Sequence, residues 1–435
     1  MKEIGVGLLG FGTVGAGVVE GLQKNADLIA ARTGVKLVLR KIADLDLERD
    51  RGVKVDRSIL TSDAHAVIKD PSIDVVIELI GGVGIAKELV QAALKQGKPV
   101  VTANKKLLAE YGEALFKLAD ENNVDLAFEA SVGGGIPIIR ALREGLVANR
   151  ILNAYAILNG TCNYILTRME NEKLPFDQVL REAQAAGYAE AEPSLDIDGH
   201  DTAHKAAVLA SLSYGFPFPM KALHTEGIRG LAQDDIRYAA ELGYRIKLLA
   251  IIRQVDGAVS VCVHPALVSH QHMLASVSGV FNAVLVKGDI VGDTLYYGRG
   301  AGRLPTASAV ISDVVDVAVS LATGRCQRLP SFLRGGQHVK LAEVAELPTR
   351  YYLRLSLLDK PGVIARVAKA LGEHEISIAS VLQKESQHGS HVPVIILTHG
   401  AKERQFKAAL DAIDGLDVVG SPTIRLRIED FDGVA

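Results

Sequence analysis

The 435-residue sequence has only three cysteines, Cys162, Cys262 and Cys326, and no two stand at metal-binding or disulfide-framework spacing. That gives no support for a thiolate metal site or a disulfide scaffold, and a reducing cytosol is the expected setting. Net charge is also scarce: 48 lysines and arginines stand against 51 acids, a formal −3. Without a basic excess nucleic acid has no electrostatic footing, so anionic ligands must be met by local basic groups. No apolar run is read as reaching membrane-spanning length. The start, MKEIGVGLLGFGTVG, has a short apolar run broken by glycines and no small-residue cleavage site, so no signal peptide is read and a cytoplasmic location is expected. What remains is 48% hydrophobic and 23% charged residues over a length that divides into two or three cored domains.

The apolar run 4–9 ends in Gly10-Phe11-Gly12-Thr13-Val14-Gly15, a G-x-G-x-x-G that opens a helix through VVEGLQK. Glycines there allow a tight turn, close backbone approach to a pyrophosphate and helix–strand packing, while the helix N-terminus supplies amide donors. Strands are expected at 35–43, 74–79, 98–102 and 124–128, with helical stretches such as 85–96 between them. That alternation predicts an α/β, doubly wound, Rossmann-like sheet over residues 1–130. Near the end of the second strand stand Arg40 and Lys41, where an NAD-selective site would place an acid. A guanidinium there suits the 2′-phosphate of NADP, although Asp44 lies close by and 26–34 reads as an insertion that stretches the spacing.

Thr102-Ala103-Asn104-Lys105-Lys106 falls at the carboxyl end of the fourth strand, where open α/β sheets bind ligands, and places Lys105 toward them. Glu129 to Pro137 then forms a glycine-rich loop, either a hinge or a ring of inward carbonyls for a hard cation. From Gly187 to Lys205 runs GYAEAEPSLDIDGHDTAHK. Pro193 and Gly199 argue against helix in its first part, whereas Asp201 opens a helix on which Lys205, four residues on, shares its face. By pattern alone that is either a polar catalytic wall or a surface ion pair.

Strands are also expected at 149–158, 244–253, 259–263 and 283–287, as an α+β domain over 131–304. The loop Gly298 to Gly302 precedes a long helix of about 305–322, which reads as an amphipathic core helix interrupted by Asp313 and Asp316. Residues 323–349, with Gly335-Gly336, read as a linker. Segments 351–358, 363–373, 376–383, 392–398, 406–414 and 418–427 spell βαββαβ, a ferredoxin-like unit over 350–435.

The spaced run Ala183, Gly187-Tyr188-Ala189-Glu190, Pro193, Asp196, Gly199, Asp201 and Lys205 resembles the signature of homoserine dehydrogenases, and the resemblance extends over the whole chain. It implies NAD(P)-dependent interconversion of L-homoserine and L-aspartate 4-semialdehyde, in the biosynthesis of threonine, methionine and isoleucine. It makes Lys205 the proton donor, oriented by Asp201, with Lys105 of the TxNK motif sharing acid/base duty. Glu190 is expected on the substrate ammonium, with Asp196, Tyr188, Gly187 and Thr161 as further substrate contacts. The segment Asn159-Gly160-Thr161-Cys162-Asn163 resembles the family's substrate-side loop. The fingerprint from Gly10 to Gly15, Thr102 and Gly302 are placed at the cofactor, NADP favoured over NAD. A monovalent cation, sodium, maps to Glu129, Val132, Gly134 and Ile136. The middle domain would also form a dimer interface, in a homodimer or homotetramer.

LDKPGVIARVAKAL resembles an ACT domain, an amino-acid receptor, with L-threonine the expected effector. Its turn Asp359-Lys360-Pro361-Gly362-Val363 leads into a helix N-terminus able to take a carboxylate. Gly362 is expected because a Cβ would crowd the ligand, and Ser377 and Ser380 stand where an asparagine often holds it. Two other activities compete with this reading. An acylating semialdehyde dehydrogenase needs a nucleophilic cysteine, for which Cys162 is the candidate. A non-enzymatic NADP-binding amino-acid sensor would leave the acidic segment and Lys205 unused.

Overall fold

The computed structural model describes residues 1–325, 339–384 and 390–431; Cys326 and the Gly335-Gly336 pair lie outside the described residues. The chain divides into two compact units. The first comprises Met1–Gly160, Asp201–Leu223 and Val280–Val339, and the second Thr161–His200, His224–Gly279 and Lys340–Ala435. Residues 131–304 are thus shared between them.

In the first unit six parallel strands, β1 (Lys2–Leu9), β2 (Val35–Ala43), β3 (Leu60–Thr61), β4 (Val75–Glu78), β5 (Val100–Thr102) and β6 (Leu126–Ala127), lie in the order β3-β2-β1-β4-β5-β6. Val75, Val76 and Ile77 are fully buried, as a parallel sheet covered on both faces requires. The helices are α1 (Thr13–Thr33), α2 (Ala64–Lys69), α3 (Gly84–Lys95) and α4 (Lys105–Glu121). α3 buries Ala86, Leu89, Val90, Ala93 and Leu94, a single stripe at helical spacing. Strand β3 and helix α2 escape the sequence reading because neither is long enough to show a period. Residues 26–34, read as an insertion, lengthen the helix: α1 continues to Thr33, with irregular dihedrals at Asn25, and closes on left-handed Gly34.

The helix Arg303–Thr323 is, among the described residues, the one long and apolar enough to cross a membrane. It meets that test by length and composition only, with Asp313 and Asp316 inside it as the sequence reading noted. It is a core helix: Ala307, Val310, Val314 and Val317 join one cluster with Val6, Leu8, Val18 and Leu22. It approaches α1 closely because glycines leave room. A Cβ on Gly17 would sit 2.5 Å from the Arg303 carbonyl oxygen, and one on Gly21 would sit 2.5 Å from Ile311 Cδ1. The same unit holds strand Phe281–Gly288, paired antiparallel with Ile151–Ile157 and with Gly292–Arg299.

In the second unit Tyr244–Val255 and Ala258–Ser269 form a long hairpin, closed by Asp256-Gly257 with both φ positive. Strands Pro348–Leu358, Ile378–Gln383, His391–Thr398 and Val419–Ile428, with helices Val363–Glu373 and Glu403–Asp414, complete βαββαβ around Leu353, Leu355, Val367, Leu371 and Phe406. The last strand also pairs in parallel with the hairpin, Ala266 with Arg427 and Leu267 with Ile428. The expected linker is partly structured, since Lys340–Leu341 pairs with Ala258 and Val259. At the seam Arg427, 5% exposed, donates to the carboxylates of Glu226 at 2.7 Å and Glu403 at 2.8 Å. Burial opposes ionisation of Glu226, yet His224 and Arg427 hold its carboxyl well below the usual range.

Candidate active site

Three glycines of the fingerprint do three different things. Gly10, at φ 95, lies so close to the end of β4 that a Cβ would be 2.6 Å from the Leu79 carbonyl carbon. A Cβ on Gly15 would be 2.3 Å from the Gly10 carbonyl oxygen, so this glycine seats α1 on the strand. A Cβ on Gly12 would meet nothing within 4 Å among the described residues. Gly12 therefore faces open space, beside a helix start that has no side-chain cap. The crevice there, about 400 Å³, is lined by Phe11, Thr13, Asp44, Arg49, Arg51 and Arg303, among others. An uncapped helix N-terminus beside arginines fits the pyrophosphate of a dinucleotide.

Arg40 and Lys41 are not at this crevice. They fall short of the end of β2, where Arg40 pairs with Glu3 at 3.3 Å and Lys41 with Asp70 at 2.7 Å. Just past the strand end stands Asp44, whose carboxylate accepts from the Phe11 amide at 2.6 Å and from Arg51 at 3.1 Å. The 2′-phosphate role read for Arg40 and Lys41 is corrected on that geometry. Of the arginines that do line the crevice, Arg49 is exposed and Arg51 is held by Asp44.

Asp201 and Lys205 share a face of the helix His200–Tyr214, and the pair is not a surface pair. Lys205 Nζ lies 2.6 Å from Asp201 Oδ2 and donates to the Leu158 carbonyl at 2.8 Å. Lys105, the first residue of α4, brings its Nζ to 3.2 Å from Asp201 Oδ1. Asn159 Nδ2 donates to Asp201 Oδ2 at 2.9 Å. Burial alone would raise the Asp201 carboxyl, but the two ammonium groups and the donors from Lys205 and Asn159 hold it far below the ordinary range. One ionised carboxylate thus carries two lysines on opposite oxygens. Asn159 was read as the start of the substrate-side segment and not as a partner of Asp201, and the Leu158 carbonyl just before it was missed as a member of this site.

Glu129 follows β6 and is buried. Its carboxylate accepts from the amides of Ile139 at 2.9 Å and Arg140 at 2.8 Å, and its own amide donates to Asp313 at 2.7 Å. Burial pushes the Asp313 carboxyl up to about 7 and raises that of Glu129 as well. With that carboxylate occupied by amides, Glu129 would serve a cation through its carbonyl. Val132 and Ile136 are buried, Gly133 and Gly134 are both left-handed, and the Gly133 and Ile136 carbonyls accept from the amides of Ile136 at 2.9 Å and Ile138 at 2.8 Å. Among the described residues no group of three His, Cys, Asp or Glu side chains could hold a metal.

In the second unit the remaining substrate candidates lie on one stretch. The segment read as a substrate-side loop is the first turn of helix Gly160–Glu172, whose apolar spacing at Cys162, Ile165, Leu166 and Met169 was the overlooked signal. Thr161 Oγ1 donates to the Tyr188 carbonyl at 2.7 Å. Gly187, Tyr188 and Glu190 are exposed and Asp196 is half-buried. Between Pro193 and Gly199 the chain makes one helical turn, Ser194–Ile197, against the reading of no helix there. Asp198 is gripped by Arg229 through two bonds of 2.7 and 2.8 Å. Cys162 is buried and its Sγ donates to the Asp196 carbonyl, a poor setting for a nucleophile. In the C-terminal module Gly362, at φ 83, starts the helix Val363–Glu373. A Cβ there would meet no protein atom within 4 Å among the described residues, and the positive φ by itself favours glycine.

Residues 137–315 match the family model described as homoserine dehydrogenase, residues 10–129 its NAD binding domain, and residues 351–417 the ACT domain. The chain is 44% identical over 434 residues to a homoserine dehydrogenase of Neisseria gonorrhoeae, covering 99% of this chain and 100% of that one. It superposes on a crystal structure of a homoserine dehydrogenase from Thiobacillus denitrificans with TM-score 0.94 and 45% identity, covering 99% of each. A hyperthermophilic archaeal homoserine dehydrogenase in complex with NADPH matches at TM-score 0.63 and 28% identity, covering 73% of this chain and 98% of that one.

Proposed function

The chain belongs to the homoserine dehydrogenase family, and on that premise we propose that Lys205, held by Asp201, is the acid/base group of an L-homoserine–L-aspartate 4-semialdehyde interconversion. The observation that carries this reading is the buried Asp201 carboxylate bridging the two ammonium groups. A nicotinamide cofactor bound at the Gly10–Gly15 turn supplies or accepts the hydride. In the reducing direction the substrate oxygen gains negative charge, and an ammonium beside it donates the proton and stabilises that charge. Lys205 donates to Asp201 and to the Leu158 carbonyl, leaving its third N–H for the substrate oxygen. Asp201 keeps the charge in place, and Lys105 adds a second positive centre on the other oxygen.

Glu190 is assigned to the substrate ammonium, with Asp196, Tyr188, Gly187 and Thr161 as further contacts, and Gly302 and Thr102 to the cofactor side. The cofactor is NAD or NADP; with Arg40 engaged elsewhere, exposed Arg49 is the guanidinium proposed for a 2′-phosphate. Sodium is assigned to the carbonyls of Glu129, Val132, Gly134 and Ile136. Nucleotide binding is assigned to 1–130 together with the helix Arg303–Thr323, substrate binding and homo-oligomer contacts to 131–304, and feedback by L-threonine to the ACT module of 350–435. The place of the reaction is the synthesis of threonine, methionine and isoleucine. The experiment is a steady-state assay of the purified chain with L-homoserine and each of NAD and NADP. Cofactor reduction dependent on homoserine is expected; reduction that instead requires an acyl acceptor and is lost in Cys162→Ser would overturn the reading.

A further inference from the structure

A carboxylate stands where the sheet gains nothing from it. Glu78 ends β4 with no exposed surface, in a strand otherwise made of Val75, Val76 and Ile77. An ionisable side chain at such a position costs stability unless its oxygens are satisfied. Here they are, and by groups that belong to the ligand-side loops. Glu78 Oε2 accepts from the Thr102 hydroxyl at 2.6 Å, across the β4–β5 register pair. Glu78 Oε1 accepts from the amides of Ile80 at 2.9 Å and Gly81 at 3.0 Å. The chain of bonds then continues away from the strand. Thr102 Oγ1 accepts from the Asn104 amide at 3.0 Å. Asn104 donates from Nδ2 to the Gly82 carbonyl at 2.6 Å, and its Oδ1 caps α4 through the Leu107 amide at 3.1 Å.

The next residue is Lys105. Its ammonium reaches Asp201 from the first position of α4, so the place and direction of that helix start decide whether the 3.2 Å contact is made. Both loops leaving the carboxyl ends of β4 and β5 hang on one buried carboxylate. We infer that Glu78, acting through Thr102 and Asn104, is a positioning residue that sets Lys105 against Asp201. This inference rests on the reading of Lys105 as part of the acid/base site. Catalytic groups tolerate little displacement, and a misplacement of about 1 Å can cost roughly a hundredfold in rate.

Glu78→Gln tests it. An amide can accept from the Thr102 hydroxyl or from the two backbone amides, but its NH2 group then faces a donor on the other side. The expected result is a drop in kcat of roughly ten- to a hundredfold, with KM for homoserine changed little. The decisive readout is a double-mutant cycle with Lys105→Ala. If Glu78 works through Lys105, Glu78→Gln costs far less in the Lys105→Ala background than alone. If Glu78 only supports folding, the two losses multiply, and that outcome overturns the inference. Lys105→Ala at unaltered kcat would sink the reading of Lys105 itself, which is a separate failure. Should Glu78→Gln not fold, Thr102→Val and Thr102→Ser replace it in the same cycle. Thr102→Val is expected to lose rate and Thr102→Ser, which keeps the hydroxyl, to restore it; equal rates for both would likewise overturn the inference.

Discussion

Replacing Asp313 by asparagine should change how the stability of the first unit depends on pH. Asp313 is buried in the helix Arg303–Thr323, accepts the Glu129 amide at 2.7 Å, and has its carboxyl raised from 3.8 to about 7. Burial is the main cause; the nearby Glu129 carboxylate adds to it, and Arg140 and Arg143 oppose it. Between those two pH values the folded chain holds a proton that the unfolded chain has released. Stability therefore declines as pH rises from about 4 to about 7, and levels off above. At about 1.4 kcal/mol per pH unit the full loss is roughly 4 kcal/mol. Asparagine has nearly the shape of the protonated acid and never ionises, so Asp313→Asn should be comparatively more stable as pH rises. A residual slope of the same sign should persist from Glu129, whose carboxyl burial also raises. Urea denaturation midpoints of both chains across pH 4 to 8 are the assay, with m-values checked for constancy. Parallel curves, with no closing of the gap toward neutral pH, would refute the reasoning.

Arg49→Ala should raise KM for NADP much more than for NAD, because only NADP has a 2′-phosphate to lose, while Arg40→Ala should alter neither; the four constants decide it, and an NADP-selective effect from Arg40 alone would reverse the assignment. Exchanging sodium for a bulky organic cation at constant ionic strength should lower the melting temperature or the rate if the site proposed at Val132, Gly134 and Ile136 holds the ion, since oxygen cages select by size; no change would return that loop to a hinge. L-threonine should inhibit the full chain, with a coupling of about 1–3 kcal/mol, and Gly362→Asp should abolish inhibition while sparing kcat, because φ 83 at that helix start disfavours a side chain. Undiminished inhibition in the variant would place the effector elsewhere.

What the sequence made legible was local. The Gly10–Gly15 turn, the TANK segment at the end of β5, the Asp201–Lys205 spacing and the six elements of the C-terminal module each depend on residues a few positions apart. What it hid was set by register and by partners far along the chain. Arg40 and Lys41 were read near the end of a strand whose expected bounds, 35–43, are those observed; what the sequence did not show is that Glu3 and Asp70 claim the two basic residues. Glu78 reads as one polar residue in a buried strand until β5 is laid beside it. Asn159 meets Asp201 across 42 positions, and no spacing rule links them. The pairing of Arg427 with Ala266 across the module seam has no local signal either. The first turn of Gly160–Glu172 is different, since its apolar stripe was present and went unread.

The account stands or falls on Lys205. Its ammonium lies 2.6 Å from a carboxylate that is buried and ionised, on the helix where the family signature ends. The most direct measurement is kcat for homoserine oxidation by Lys205→Ala, set beside equilibrium binding of NADP to the same protein. Loss of a positioned general acid/base group predicts a fall in kcat of roughly a hundredfold or more, with NADP binding close to that of the unaltered chain. A variant that turns over at nearly the original rate would contradict the account.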